Sequence, residues 1–413
     1  MRYAITGATV EQVKSVGAID IKEARAPAVI FAMLTDEQVA KLKAMGCTVT
    51  PVGQIKAAVM PPPPVAAIPV YTASQLIYVA GFEQLRKAIV PPLYGEGINV
   101  AVVDTGIRET HQQLMGRVIY SKNFTSDLMR DGFDHGTGVA SIIAAIAPRC
   151  NILNIKVLDD RGSGTEEEAV LGIDHLLSLH DEGAELAPSI INLSLGSPDD
   201  GNLYNPLRLA CRAAIQRGVW VTAAAGNSGP SAQTIMSPAC ERYVCAVGSC
   251  RLEPFVISDW SSRGPTKEGL IKPDAVFFGD NIEMASSASD TATTAKSGTS
   301  FTSPFSAGAW ALYYEGVGRQ LSFQIERYPQ YADILREAVA RGISPESGID
   351  NFLPRVAIKP QGVAVGKDDD YGYGLPFGPL VVQQFVPKVA VDVPALLGAV
   401  MLIGIVGIMV KRI

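Results

Sequence analysis

The sequence has no cluster of Lys and Arg outside its last few residues, and its 35 basic residues are outnumbered by 41 acidic ones. A formal charge of −6 with no basic stripe argues against a nucleic-acid partner, because phosphate binding needs grouped cations. The six cysteines (Cys47, Cys150, Cys211, Cys240, Cys245, Cys250) form no CxxC pair, which leaves zinc ligation and dithiol redox chemistry without a motif. They read as buried small hydrophobes; Cys240, Cys245 and Cys250 also leave a disulfide open, with no connectivity readable from spacing. No GxSxG elbow occurs anywhere. The opening MRYAITGATVEQVKSV lacks the apolar core of a signal peptide.

What is present is a folded chain: 47% apolar and 18% charged over 413 residues, long enough for two or three units. A small α/β unit runs from Ala28 to Ala58. Ala28–Leu34 is strand-like, Thr35-Asp36-Glu37 starts a helix, Val39, Leu42 and Met45 keep helical spacing, and Thr48–Val52 resumes a strand. Pro61–Pro64 then reads as a stiff linker, setting a first boundary near residues 60–72. Beyond it, apolar runs at Ile98–Val103, Ile152–Val157, Ile190–Leu193, Val219–Ala224 and Tyr243–Val247 predict strands. They alternate with predicted helices at Gly138–Ala147, Glu166–Leu179, Pro206–Arg217 and Pro304–Tyr314. Continuous apolar strands alternating with helices predict a mostly parallel sheet covered on both faces, with ligands at the carboxyl ends of its strands. From Val393 the chain runs uncharged to Val410 and ends Lys411-Arg412-Ile413, the pattern of a membrane helix with a cationic flank.

Four residues in this frame carry potential chemistry. Asp104 ends the apolar run INVAVV, where a carboxylate is shielded and aimed. Asp-Thr-Gly is also a signature of paired-aspartate proteolysis, but that chemistry needs a second such carboxylate and none is found. His135 lies in DHGTGVAS at a glycine-lined helix start, which suits a general base. His111, His175 and His180 lack this setting; His175 and His180 read as solvated helix residues spaced wrongly for a metal pair. Ser300, in SGTSFTSP, opens a buried helix whose N–H groups face any negative charge forming there. Asn227, in AAAGNSG, ends a strand in a glycine-flanked turn and offers an amide donor. Alone, each is an ordinary turn or cap residue. Together they arrive in the order Asp, His, Asn, Ser.

VAVVDTGI, DHGTGVAS, AAAGNSG and SGTSFTSP, with SDWSSRGP and KPD, resemble the motifs of the subtilisin-like serine proteases (subtilases) from Ser74-Gln75 to Tyr373-Gly374, about three-quarters of the chain. The resemblance implies an α/β, three-layer doubly wound fold with a mostly parallel sheet. It implies a catalytic triad of Ser300 as nucleophile, His135 as base and Asp104 orienting the imidazole, with Asn227 and the Ser300 N–H as oxyanion donors. Gly162-Ser163-Gly164 and Ser194-Leu195-Gly196 match the segments that clamp an extended peptide through main-chain bonds. Met236, before Ser237-Pro238-Ala239, falls near the specificity pocket. The chain departs from the family at Gly138 and Phe305, where a second and third His are common, and at Phe277-Phe278-Gly279, where Ala-Pro-Gly is usual. Ser141–Ala147 runs on without the usual calcium loop and Gln113 replaces an acidic ligand, so the family's high-affinity calcium site is expected to be absent and no metal or cofactor is required; a weaker calcium site stays open.

The resulting organisation is an α+β prosegment-like domain with its linker at 1–70, a catalytic domain at 71–380, and a tail at 381–413 with a membrane helix at 393–410. The prosegment resemblance implies an intramolecular inhibitor cut between Met60 and Thr72. The expected function is a membrane-tethered serine endopeptidase acting on polypeptides, with its catalytic domain outside the cytoplasm; a cytoplasm-facing tail anchor is the other topology. The second functional reading is a catalytically silent, or only self-processing, homologue that binds peptides or serves as a surface structural protein.

Overall fold

The computed structural model describes residues 1–60, 69–87 and 90–385. The Pro61–Pro64 linker and the apolar stretch 393–410 lie outside them. Among the described residues no helix is long and apolar enough to cross a membrane.

The first unit begins earlier than Ala28. Strand β1 (Arg2–Thr6), helix α1 (Val10–Ser15) and strand β2 (Ile19–Ala24) precede β3 (Val29–Met33), α2 (Asp36–Ala44) and β4 (Thr48–Pro51). The strands form an antiparallel sheet in the order β2-β3-β1-β4, so the overlooked β1 is central. Both helices open on a capping box, Thr9 with Gln12 and Thr35 with Gln38, which satisfies two otherwise orphaned N–H groups at each start. Alternation along β1 and β3 sends Tyr3, Ile5, Ile30 and Ala32 under these helices. Ala4 and Phe31 point the other way, into the core of the large unit. A five-residue strand buried on both faces shows no polar–apolar alternation, which is why β1 escaped the sequence reading. Strand β5 (Gln54–Ala57) leaves this sheet altogether.

The large unit enters through β6 (Tyr71–Thr72), α3 (Ala73–Val79) and α4 (Phe82–Lys87). Its main sheet then builds from β7 (Asn99–Asp104), β8 (Val118–Asn123), β9 (Asn151–Lys156), β11 (Ile190–Leu193), β13 (Trp220–Ala224), β15 (Cys245–Arg251), β16 (Val256–Ile257) and β17 (Ala275–Phe278). Short strands β10 (Ser163–Thr165), β12 (Leu195–Pro198) and β14 (Met236–Ser237) lie outside it. The order is β16-β15-β13-β11-β7-β9-β8, with β17 on β15, and every pair is parallel except β15–β16. Helices α5 (Gly136–Ile146) and α8 (Ser303–Arg327) pack on one face; α6 (Glu166–Asp181) and α7 (Pro206–Gln216) cover the other. This is the doubly wound α/β architecture that the alternating pattern predicted. After β7 the chain winds toward β9, and after β9 it crosses to β11 on β7's other edge. That reversal opens a crevice at the carboxyl ends of β7 and β11.

Helix α8 runs thirteen residues past the predicted end at Tyr314, to Arg327. Its buried residues stop at Val317, and beyond it only Leu321 and Ile325, set among polar residues such as Arg319 and Gln320, continue the apolar face and pack partly buried on the core. All six cysteines are buried and free, so the disulfide left open for Cys240, Cys245 and Cys250 does not form. Burial pushes the Cys150, Cys240 and Cys245 thiols up to about 12, which leaves them unreactive.

Candidate active site

Asp104 is the last residue of β7 and is fully buried. Its Oδ1 accepts the Thr105 N–H at 2.7 Å and stands 2.6 Å from His135 Nδ1. A carboxylate only accepts, so Nδ1 carries the imidazole proton and Nε2 keeps the basic lone pair. That Nε2 is buried and has no hydrogen-bond partner among the described residues. His135 stands at the N-cap of α5 without capping it by its side chain. Asp131 does that work: its carboxylate accepts the N–H groups of His135 at 3.0 Å and Thr137 at 2.9 Å, and the Thr105 hydroxyl at 2.8 Å. On the other side of His135, Ser286 Oγ and the Ser287 N–H donate to Asp134 Oδ1 at 2.8 and 2.6 Å. Against the cost of burial, these donors and Lys296 hold Asp134 below the usual carboxylate range.

Ser300 lies in a single 3₁₀ turn, Thr299–Phe301, that leads into α8, with Pro304 in that helix's first turn where its missing N–H costs nothing. Its hydroxyl donates to the Ser194 carbonyl at 2.9 Å, so in this conformation it does not engage His135. Ser194 Oγ in turn donates to the Ser300 carbonyl at 2.7 Å and accepts from Asn192 Nδ2 at 3.0 Å, while Ser303 Oγ donates to Asn192 Oδ1 at 2.8 Å. This buried network fixes the start of α8 against the end of β11. Gly298, before the turn, has φ +150, and a Cβ there would lie 2.6 Å from the Ala58 carbonyl oxygen.

Asn227 has its amide orientation set by Thr299, whose N–H and hydroxyl both donate to Oδ1, at 2.9 and 2.8 Å. Nδ2 therefore faces the crevice, where it donates to the Ala58 carbonyl at 2.7 Å. The Ser300 N–H donates to the same oxygen at 3.3 Å. The two expected oxyanion donors thus share one acceptor, and it belongs to the protein's own N-terminal unit.

Strand β5 delivers it. It inserts antiparallel between β10 and β12, with Lys56 opposite Ser163 on one side and Gly196 on the other, Ile55 opposite Gly164 and Ala57 opposite Leu195. The Ala57 N–H donates to the Gly162 carbonyl at 3.0 Å and the Ala58 N–H to Ser194 at 3.2 Å. Past Ala58 the chain continues, with the Met60 N–H on the Ser297 carbonyl at 3.0 Å. Ile55 is fully buried in the core shared with α6. All six residues named as a peptide clamp line this inserted strand, and Asn227 and Ser300 meet Ala58 just past its end.

Sequence reading missed Asp131, Thr105, Thr299 and the side chain of Ser194. Asp131 had a usable signal, a carboxylate just ahead of a helix start. His175 is half-buried rather than solvated: its Nε2 lies 2.7 Å from the Tyr120 hydroxyl, and burial together with Lys122 holds its pKa below the ordinary imidazole value. His111 is also buried, with Nε2 2.9 Å from the Ala292 carbonyl and Nδ1 accepting the Gln113 N–H.

Several known proteins are similar to this chain. Over 212 residues the chain is 34% identical to serine protease AprX of Bacillus subtilis (strain 168), a match covering 46% of this chain and 48% of that protein. It is 34% identical over 230 residues to subtilisin-like protease 1 of Arthroderma otae, covering 54% of this chain and 44% of that one. Against an intracellular serine protease of Paenibacillus polymyxa it is 30% identical over 283 residues, 64% of this chain and 81% of the relative. The chain spans about half the length of the first two of these relatives. The subtilase family model matches residues 95–328, which holds β7 with Asp104, the start of α5 with His135, the turn of Asn227 and the entry to α8 with Ser300, and by that match the chain belongs to the subtilase family.

Proposed function

We propose that the chain is a serine endopeptidase with Ser300 as nucleophile, His135 as general base and Asp104 as the carboxylate that fixes the imidazole. The N-terminal unit is its intramolecular inhibitor, seated in the crevice as a substrate would be. The observation that carries this reading is the Ala58 carbonyl, held by both Asn227 Nδ2 and the Ser300 N–H. Those donors stabilise an oxyanion better than a ground-state carbonyl, which is how such a site lowers a barrier. In the reaction, Ser300 Oγ turns from Ser194 toward His135 Nε2, gives up its proton there and attacks the carbonyl carbon. His135 then hands the proton to the departing amine, and water releases the acyl group by the same steps in reverse.

The register makes Ala58–Val59 the bond in line for cleavage, two residues before the expected Met60–Thr72 window. That window follows from the proline-rich linker, whereas the paired strand ends at Ala57. The Ser300→Ala variant tests the reading. The wild-type chain is expected to yield a new N-terminus at Val59 and to hydrolyse peptides, and the variant to do neither. Peptide hydrolysis that survives in Ser300→Ala removes the assignment.

The uncharged stretch 393–410 followed by Lys411-Arg412 further supports a membrane tether with the protease on the far side from that cationic end. Digestion of the catalytic domain by added protease in intact cells is the expected result; full protection there reverses the topology.

A further inference from the structure

The crevice beside Ala58 is bounded by a side chain that the catalytic machinery does not use. Met236 opens β14, which pairs with β12 so that Pro198 faces Met236 and Ser197 faces Ser237. The Met236 N–H also donates to the Ala225 carbonyl at 2.9 Å. Its backbone is therefore tied both to the strand that clamps β5 and to the segment that ends in Asn227. The side chain fills the gap between those two walls. A Cβ at Gly196 would lie 2.3 Å from Met236 Cε, and one at Gly226 would lie 3.3 Å from its Sδ. Both walls are glycine where the thioether passes, and a Cβ at Gly196 would also meet the Ser237 carbonyl oxygen at 2.2 Å and one at Gly226 the Ser262 hydroxyl at 2.6 Å, so both walls stay bare there and Met236 passes between them. Ala58 and Met236 line the same cleft, together with Gly196, Gly226 and Asn227.

We infer that Met236 closes the seat occupied by Ala58, so that the protein cuts after small side chains and rejects aromatic and long aliphatic residues at that position. The inference rests on the endopeptidase reading above and specifies its substrate class: extended segments with a small residue immediately before the scissile bond. The occupant agrees, since the protein's own strand brings Ala57 and Ala58 to the site. Steric discrimination has a limited size. A hydrophobic pocket separates side chains differing by a methylene by about 10- to 200-fold in kcat/KM. Methionine is an unbranched, adaptable wall, so exclusion should grow with side-chain length rather than switch on at once.

The test uses the full-length, self-processed protein and peptides that copy Gln54–Met60, with Ala58 replaced in turn by Val, Leu and Phe. The expected order of kcat/KM is Ala, then Val, then Leu and Phe, with Phe at least about tenfold below Ala. In Met236→Gly the ratio of Phe to Ala turnover should rise by about tenfold or more, carried by kcat/KM for Phe. Met236→Ala, which keeps a side chain on the strand, should move the ratio in the same direction by less and guards against a glycine variant that fails to fold. A wild-type protein that cleaves the Phe and Ala peptides equally overturns the inference while leaving the endopeptidase reading intact. An unchanged ratio in both Met236 variants overturns it too. If no peptide is cut by the wild type at all, the endopeptidase reading falls and takes this one with it.

Discussion

At the residue scale, the site depends on how donors are aimed more than on which residues are present. Asn227 is a donor toward the crevice only because Thr299 occupies Oδ1 twice. Asn227→Ala removes one proposed oxyanion donor and is expected to lower kcat by about 10²- to 10³-fold while KM moves little. Steady-state kinetics on a peptide substrate checks this, and a loss confined to KM would contradict the oxyanion role. A different residue-scale prediction concerns Lys272 and Asp274, which are buried 2.6 Å apart, with Lys367 reaching the other Asp274 oxygen at 2.6 Å. Burial pulls Lys272 below its ordinary range, and Asp274 offsets part of that. Asp274→Ala strands two cations and is expected to cost about 3–5 kcal/mol. Denaturant unfolding, run in the Ser300→Ala background to avoid self-digestion, measures it; a loss below about 1 kcal/mol would mean the pair is not uncompensated when broken. The four motif residues were legible because each ends or begins an element whose apolar period is plain. Thr299 and Asp131 were not, since their roles come from contacts that spacing does not encode. Thr299 meets Asn227 across 72 positions.

At the element scale, strand β5 carries the argument. Gln54–Ala57 reads as an unremarkable QIKA, with one strongly apolar residue, and nothing in the first unit needs it. Its order comes from β10 and β12, which supply the ladder, and from the pocket that buries Ile55. Long-range pairing of this kind is invisible to local propensity, whereas β7, β9, β11 and β13 were readable to within a residue; β15 runs four residues past its predicted end at Val247, and β8 and β17 were not predicted. The same logic makes Ile55 the anchor of the inserted strand. Ile55→Ala removes a fully buried side chain and should weaken the strand's hold by about 2–5 kcal/mol. In the Ser300→Ala chain, faster amide exchange at Ala57 and Ala58 with unchanged exchange in β7 and β11 is the expected signature. Exchange that stays slow at Ala57 and Ala58 would show that main-chain pairing alone holds the strand.

At the scale of the whole molecule, the two units are joined by charges at the start of α6. Arg2 forms a two-pronged pair with Glu167, Lys22 reaches Glu167 at 2.8 Å, and the Gly53 N–H donates to Glu166 at 3.0 Å. Ala26 adds an N–H to Asp174 at 2.6 Å. The two glutamates move in opposite directions. Burial, eased only in part by Asn205 and Gly53, lifts the Glu166 carboxyl above its ordinary range. For Glu167 burial pushes up, but Arg2 and Lys22 outweigh it and hold the carboxyl below that range. The Gly53 N–H that docking brings to Glu166 works against the rise of that carboxyl. Glu167 is lowered by Arg2 and Lys22 of the docked unit, so its contribution to the hold is full above the ordinary glutamate value of about 4.3 and is lost as the pH falls through its depressed pKa. Glu167→Gln should flatten that fall, read as the difference from the parent Ser300→Ala chain in exchange protection at Ala57 and Ala58 across pH. The proposed base role of His135 makes a separate prediction: peptide hydrolysis should fall on acidification, because a protonated imidazole cannot accept from Ser300, and a rate flat from neutral pH to pH ~4 contradicts that role. If protection at Ala57 and Ala58 falls on acidification equally in Glu167→Gln and in the parent chain, the Arg2–Glu167 pair does not set the pH response of docking.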